Sequence, residues 1–304
     1  MLEPPSLDRD ISRARSSGNK VLCREIRPTD SGPIVDLLTR GLAPARDRNF
    51  WVHALERLSA HATPPGFPRY GYLLETEGRP VGVILLIFTA VPTPEGRSIR
   101  CNVSSWIVEP AFRPYAPMLI AVALKHKQVT YFNITPAAHT LPMLEAQGYK
   151  RYSSGRILSI PALSWRGCRC RVERIGLPLR PGCDLTDFEV GLLQSHADYG
   201  CISLICYAGG ERFPFVFHLR PKFRGLIPIA CLIYCRSLET FIRFARPLGI
   251  YLACRGIPLV VFDANGPIPG LFGRYKSEDP KYFKGPNRPS LGDLSYSELP
   301  MLGV

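Results

Sequence analysis

The sequence predicts a mixed α/β (α+β) fold built as two related halves, each a central mixed sheet flanked by helices. Three observations carry that expectation. First, the β-branched run Asn102–Val108 passes through a tight turn led by Arg113 into the apolar stretch Leu119–Leu124. A strand that feeds a helix through a short loop aims the helix's free N–H groups at one point, which suits an anion. Second, a hairpin, a strand–helix unit and a following strand recur at an offset of roughly 130 residues, the signature of an old duplication. Third, 304 residues with 46% hydrophobic and 21% charged content are enough for one large domain or two ordinary ones.

The elements follow in order. Residues 1–20 are polar and aperiodic and read as a mobile arm. Cys23–Arg27 is strand-like, and Ile34, Leu37 and Leu38 then repeat at helical spacing. Asp47 is placed to cap a second helix with Trp51, Leu55 and Leu58 on one face, and Thr63-Pro64-Pro65-Gly66 ends it. Tyr70–Glu75 and Val81–Phe88 form a hairpin with Gly78 in its turn. After a loop at Pro92–Arg97 come the strand Asn102–Val108, a helix from about Pro117 to Lys127, and the strand Val129–Ile134. Pro136–Gln147 reads as a helix stopped by Gly148, and Tyr149–Ile160 as a closing strand.

Trp165–Arg180 is basic, with Pro and Gly, and reads as a linker. Beyond it, Asp184–His196 is helical in pattern, and Cys201–Ala208 and Arg212–Leu219 form a hairpin about Gly209-Gly210. Ile229–Cys235 is a buried strand. Leu238, Phe241, Ile242, Ala245 and Leu252 mark a helix interrupted at Pro247, and Pro258–Asp263 is another strand. After Lys276 the chain is rich in Pro, Gly, Ser and charge and is expected to be irregular.

Thirty-eight basic and 25 acidic residues leave a formal charge of +13, which favours anionic partners. The basic residues are mostly Arg and are scattered, and no helix-turn-helix, zinc-finger or aromatic-basic RNA motif appears. No apolar run reaches the ~20 residues of a membrane span, and the N-terminus, with Asp8, Arg9 and Asp10, is no secretory signal. A cytoplasmic protein is the expectation. Eight of the ten cysteines lie after Trp165, several inside apolar runs, where a thiol acts as a small hydrophobe. Cys168-x-Cys170, with Cys183 and His196 downstream, lacks the second close pair of a tetrahedral zinc site, so no metal is expected.

Residues 21–162 resemble the GNAT superfamily of acyl-CoA N-acyltransferases. Four pieces in order carry the resemblance: Arg24-Glu25-Ile26-Arg27-Pro28-Thr29-Asp30, Glu77-Gly78-Arg79-Pro80-Val81-Gly82-Val83, Ile107-Val108-Glu109-Pro110-Ala111-Phe112-Arg113, and Met143-Leu144-Glu145-Ala146-Gln147-Gly148-Tyr149. The resemblance implies that the strand at 104–108 splays from the one at 129–134 and that the gap holds pantetheine. It implies an oxyanion donor on Ile107 or Val108. It places the diphosphate at Arg113 and the amides of Tyr115, Ala116 and Met118. Glu109, acting through water, is then the candidate base, and His139 the candidate acid or base.

The phosphate loop departs from the family's Arg-x-x-Gly-x-Gly/Ala pattern. Ala116 and Met118 stand where small residues are expected, and Pro114 and Pro117 bring no N–H. The slot of the family's acid Tyr falls on Leu144 or Met143. The second half has Arg236-Ser237-Leu238-Glu239-Thr240 at the corresponding place, with no Gly. The implied organisation is a mobile arm at 1–20, an acyl-CoA-binding unit at 21–163, a basic linker at 164–183, a degenerate GNAT-like unit at 184–275 and an irregular tail at 276–304. The implied function is transfer of an acyl group from acyl-CoA (acetyl-CoA or longer, as co-substrate) to a small-molecule or peptide amine. The alternatives are a non-catalytic ligand- or partner-binding module and, more weakly, a basic nucleic-acid-binding protein. An internal pseudo-dimer within one chain is expected.

Overall fold

A computed structural model of the protein describes residues 20–44, 46–165, 167–176, 184–222 and 227–303. The expected arm at 1–20 falls almost wholly outside them. The first elements are β1 (Leu22–Glu25), α1 (Ser31–Gly41), α2 (Arg48–Ala60), β2 (Gly71–Thr76), β3 (Arg79–Thr93), β4 (Gly96–Val108), α3 (Ala116–Ala123), β5 (Thr130–Asn133), α4 (Leu141–Ala146) and β6 (Lys150–Ser153). Then follow β7 (Gly155–Ser159), β8 (Arg171–Arg174), α5 (Asp187–Asp198), β9 (Ile202–Ala208), β10 (Glu211–Lys222), β11 (Ile227–Cys235), α6 (Leu238–Ala253), β12 (Leu259–Ala264), β13 (Gly273–Lys276), β14 (Lys281–Lys284) and α7 (Glu298–Leu302).

Local chemistry explains these choices. The Asp47 carboxylate caps α2 by accepting the Phe50 N–H (2.8 Å). Glu77 and Gly78 both take positive φ, which the tight β2–β3 turn requires. Thr186 and Glu189 form a reciprocal capping box at the start of α5, and Ser237 caps α6.

The strands form two seven-stranded sheets. One has the order β1-β2-β3-β4-β5-β14-β6; the other, read from its far edge, is β8-β9-β10-β11-β12-β7-β13. The two orders match position by position. In each, the fourth and fifth strands are parallel and the rest antiparallel. The duplication expected from the sequence is therefore present in the topology. Its form differs from the expectation, because the halves exchange strands. β7 leaves the first half to pair with β12 and β13, and β14 returns from the end of the chain to sit between β5 and β6.

Three expectations are corrected. The single strand Tyr149–Ile160 divides at Ser154 into β6 and β7, which lie in different sheets. Period-2 alternation is identical in either sheet, so sequence alone does not reveal the transfer. The boundaries at 163 and 275 thus do not separate two independent units. The linker at 164–183 contains β8, which pairs with β9 at the sheet edge. The tail at 276–304 is not irregular, since β14 and α7 lie within it and Tyr282, Met301 and Leu302 are buried. Its short elements are masked in sequence by flanking Gly, Pro and Ser.

Helices α1 and α2 cover one face of the first sheet, around Ile34, Leu38, Trp51 and Leu58, and Met301 and Leu302 of α7 join that cluster. Helices α3 and α4 cover the opposite face through Leu119, Ala123 and Leu144. In the second sheet α6 covers the outer face with Phe241, Phe244 and Leu248. A further cluster, with Phe132, Tyr152, Leu193, Ile205, Val216 and Leu294, joins the halves.

Candidate functional site

β4 and β5 pair over only three positions, Arg100–Thr130, Cys101–Tyr131 and Asn102–Phe132. Beyond Asn102, β4 continues to Val108 alongside β3 alone, so the two parallel strands part toward their C-terminal ends. Asn102 sits at the fork, fully buried. Its Nδ2 donates to Phe132 O (3.2 Å), and its Oδ1 accepts the Glu298 N–H (2.6 Å). Just past the fork β4 bulges: Leu85 opposes Ser104 and Ile84 opposes Trp106, which leaves Ser105 unpaired at φ 40°. Such a bulge bends a strand and re-aims its neighbours.

The direction of the β4 amides follows from one hydrogen bond. Glu109 N–H donates to Val81 O of β3 (2.8 Å). Strand backbone groups alternate in direction, so the Ile107 N–H also faces β3. The N–H groups of Val108 and Trp106 then face the side from which β5 has turned away. Of Ile107 and Val108, the alternation turns only the Val108 N–H toward the cleft, and with it that of Trp106.

A cavity of ≈ 380 Å³ fills the fork, lined by Ser104, Ser105, Trp106, Ile120, Thr135, Tyr149 and Glu298 among others. A further hollow of ≈ 450 Å³ shares Trp106, Ile120, Leu124, Met143 and Gln147 with it and runs along α3 past Ala116 and Pro117. The cleft is mostly apolar, with few polar groups, as small-molecule sites are.

Glu298 is the buried carboxylate of this cleft, 4% exposed. It is delivered by α7, from the far end of the chain, and accepts hydrogen bonds from the Ser104 and Thr135 hydroxyls. Burial pushes its carboxyl above the ordinary range, although those hydroxyls partly offset the effect. Tyr149 also lines the cleft, and burial raises its phenol, so it stays protonated. Sequence reasoning missed Asn102, Ser104, Glu298 and Tyr149. The one available signal was Ser297 directly before Glu298-Leu299, a helix-start pattern in a tail whose composition reads as irregular.

The sequence-predicted residues are placed less centrally. Glu109 is clamped by Arg79 at 2.7 and 2.9 Å, with Arg40 at 3.5 Å, and does not line the cavity. His139 is exposed on a short 3₁₀ turn, although its neighbours Ala137 and Thr140 line the cleft. The expected open phosphate loop is a 3₁₀ helix over Pro110–Tyr115 that runs straight into α3, and the Ala116 N–H is spent on Arg113 O. Ala116 is therefore not the free donor it was expected to be. Arg113 and Tyr115 are exposed on this helix, and Met118 lies in the first turn of α3.

The corresponding fork of the second half is closed. β11 and β12 pair at Ile229–Leu259, Ala230–Val260 and Cys231–Val261 and then part. Here the chain itself fills the gap. Leu294 N–H donates to Ile233 O (2.7 Å), Cys235 N–H donates to Gly292 O (2.9 Å), and Tyr234 bridges Asp293 in antiparallel fashion. Residues 292–294 act as an added strand on β11. Arg236 is also engaged, its guanidinium on Glu189 at 2.6 and 2.9 Å. Among the described residues, only the first half keeps an open strand edge at its fork.

No family model matches the sequence, and no curated protein is similar to it in sequence. Solved structures do match in fold. A GCN5-related N-acetyltransferase from Anabaena variabilis superposes with a TM-score of 0.57 at 12% identity, covering 87% of this chain and 72% of that one. A GCN5-related N-acetyltransferase from Kribbella flavida gives 0.52 at 12% identity, covering 87% and 70%. Eis1 from Mycobacterium abscessus gives 0.52 at 10% identity, covering 87% and 73%. With two matching seven-stranded sheets, the chain carries the GNAT fold as tandem halves. No helix among the described residues is long and apolar enough to cross a membrane.

Proposed function

We propose that the protein is an acyl-CoA-dependent N-acyltransferase whose first half alone binds the acyl donor. One observation carries the reading: the fork between β4 and β5 is an open cleft with an unpaired strand edge, whereas the equivalent fork is filled by the chain's own residues 292–294. An extended pantetheine fits such an edge as an added strand, with the apolar hollow along α3 for the remainder. Acyl-CoA would supply the acyl group as a reactive thioester.

The chain's own groups have distinct tasks. The N–H groups of Val108 and Trp106 hold carbonyl oxygens at the cleft, one of them where negative charge develops. Glu298 takes the proton from the attacking amine, and its raised carboxyl makes it a better base. Tyr149 offers a proton to the leaving sulfur. Glu109 and His139 act at most through water, given their positions. Arg113, exposed at the start of the cleft's helix, meets the diphosphate. The acceptor is a small-molecule or peptide amine.

The 3₁₀ helix at 110–115 favours a second reading, a ligand-binding module without catalysis, because it spends amides that a phosphate would use. Thermal unfolding in acetyl-CoA, longer acyl-CoAs and free CoA tests the donor site, since a ligand of the native state raises Tm. Turnover with an amine panel then separates the readings: binding without turnover leaves the module.

A further inference from the structure

A second cavity, of ≈ 250 Å³, lies between the halves, walled by the end of β5, the inner face of β11 and β12, and the returning tail. Its charges are unevenly matched. Lys281 Nζ pairs with Asp263 Oδ1 at 2.9 Å, both side chains under a tenth exposed. Arg156 is taken up by Glu278 (2.7 Å) and Asp279 (2.5 Å). Two groups remain. Asp263 is 6% exposed, and its Oδ2 has no hydrogen-bond partner among the described residues. Arg220, half-buried on the same wall, makes no ion pair among the described residues, and the Cys231 thiol is its neighbour.

A buried carboxylate oxygen without a donor is costly, and a half-buried guanidinium without an ion-pair partner is a ready site for an anion. One small ligand answers both. An anionic group on Arg220 forms a charge-assisted fork, and a cationic N–H on Asp263 Oδ2 completes that carboxylate. The two ligand charges cancel, so the cavity gains no net charge. We propose that this cavity between the halves is a binding site for a free α-amino acid, with its carboxylate on Arg220 and its ammonium on Asp263. The site adjoins the acyl-transfer cleft, with which it shares Thr135 and Pro136, but it does not depend on that reading.

Calorimetric titration of the full chain with glycine, L-serine and L-glutamate, each beside its matched 2-hydroxy acid, tests the site at fixed salt and pH 7. At least one amino acid is expected to bind, and more tightly than its hydroxy acid. Arg220→Gln should weaken that binding at least about tenfold, since it removes a charged hydrogen bond, while acyl-CoA binding stays unchanged. Asp263→Asn should reduce the preference for the amino acid over the hydroxy acid; if that substitution compromises folding, Arg220→Gln decides alone. No binding by any amino acid, equal binding of hydroxy acids, or wild-type affinity in Arg220→Gln would overturn the proposal.

Discussion

Arg100 on β4 and Asp293 on the C-terminal segment form a two-pronged ion pair, Nη1 to Oδ2 at 2.7 Å and Nη2 to Oδ1 at 3.1 Å. Arg100 also donates to Ser295 O and Oγ. The strand that opens the first fork thus holds the segment that closes the second. Burial opposes ionisation of Asp293, but the charge and hydrogen bonds of Arg100, with those of Ser295, outweigh it and keep the carboxyl below its usual range. A depressed carboxylate contributes stability above its unfolded value of ~3.9, and that stability is lost as pH falls through the folded value. Arg100→Met leaves Asp293 uncompensated and should cost about 3–5 kcal/mol in urea unfolding at pH 7. Its effect should shrink toward pH 3.

Glu298→Gln should lower kcat by about 10²–10⁴-fold, the usual contribution of a general base, with acyl-CoA affinity unchanged. Wild-type kcat/KM should fall as pH drops through the raised Glu298 value, at a higher pH than an ordinary glutamate with pKa ~4.3 would give. The variant's pH profile should lack that acidic limb. An unaltered profile would remove Glu298 from the chemistry.

Much of the first half was legible in the sequence because its signals are local. The Asp47 cap, the Gly78 turn and the run from Asn102 into α3 depend on neighbours only a few residues away. The fork was legible through resemblance. The strand exchange at Ser154 was not, because both sheets reward the same alternation. Glu298 was hidden for a related reason: it lies 194 residues from the Ser104 whose hydroxyl it accepts, and no local pattern records such a pairing. Glu109 reads as catalytic at a strand end, but Arg79 and Arg40, distant in sequence, claim it.

Arg113→Ala should weaken acyl-CoA binding by about 10- to 150-fold, the ~1.5–3 kcal/mol of one hydrogen bond to a charged group. Arg236→Ala should leave the affinity unchanged but lower Tm, because it strips the buried Glu189 of its cation. Calorimetric titration and thermal unfolding of both variants separate the two roles. Equal affinity losses would indicate diffuse charge attraction instead of a site.

His196 ties α5 to the tail: its Nδ1–H donates to Leu192 O (2.8 Å), and its Nε2 accepts the Tyr296 N–H (3.2 Å). Burial lowers its imidazole pKa to about 4. The unfolded chain takes up this proton below ~6.5, so stability is lost as pH falls from there toward about 4. The expected loss from this residue is about 2 kcal/mol between pH 7 and 5. His196→Gln should flatten that part of the stability profile, as measured by denaturant unfolding at several pH values.

The most direct test of the open and closed forks is the stoichiometry of acyl-CoA binding to the intact chain, measured by isothermal titration. One acyl-CoA should bind per chain, in the fork of β4 and β5, because residues 292–294 already hold the other. Two molecules bound per chain would contradict the closure of the second fork, and none bound, across acyl lengths, would contradict the donor site itself.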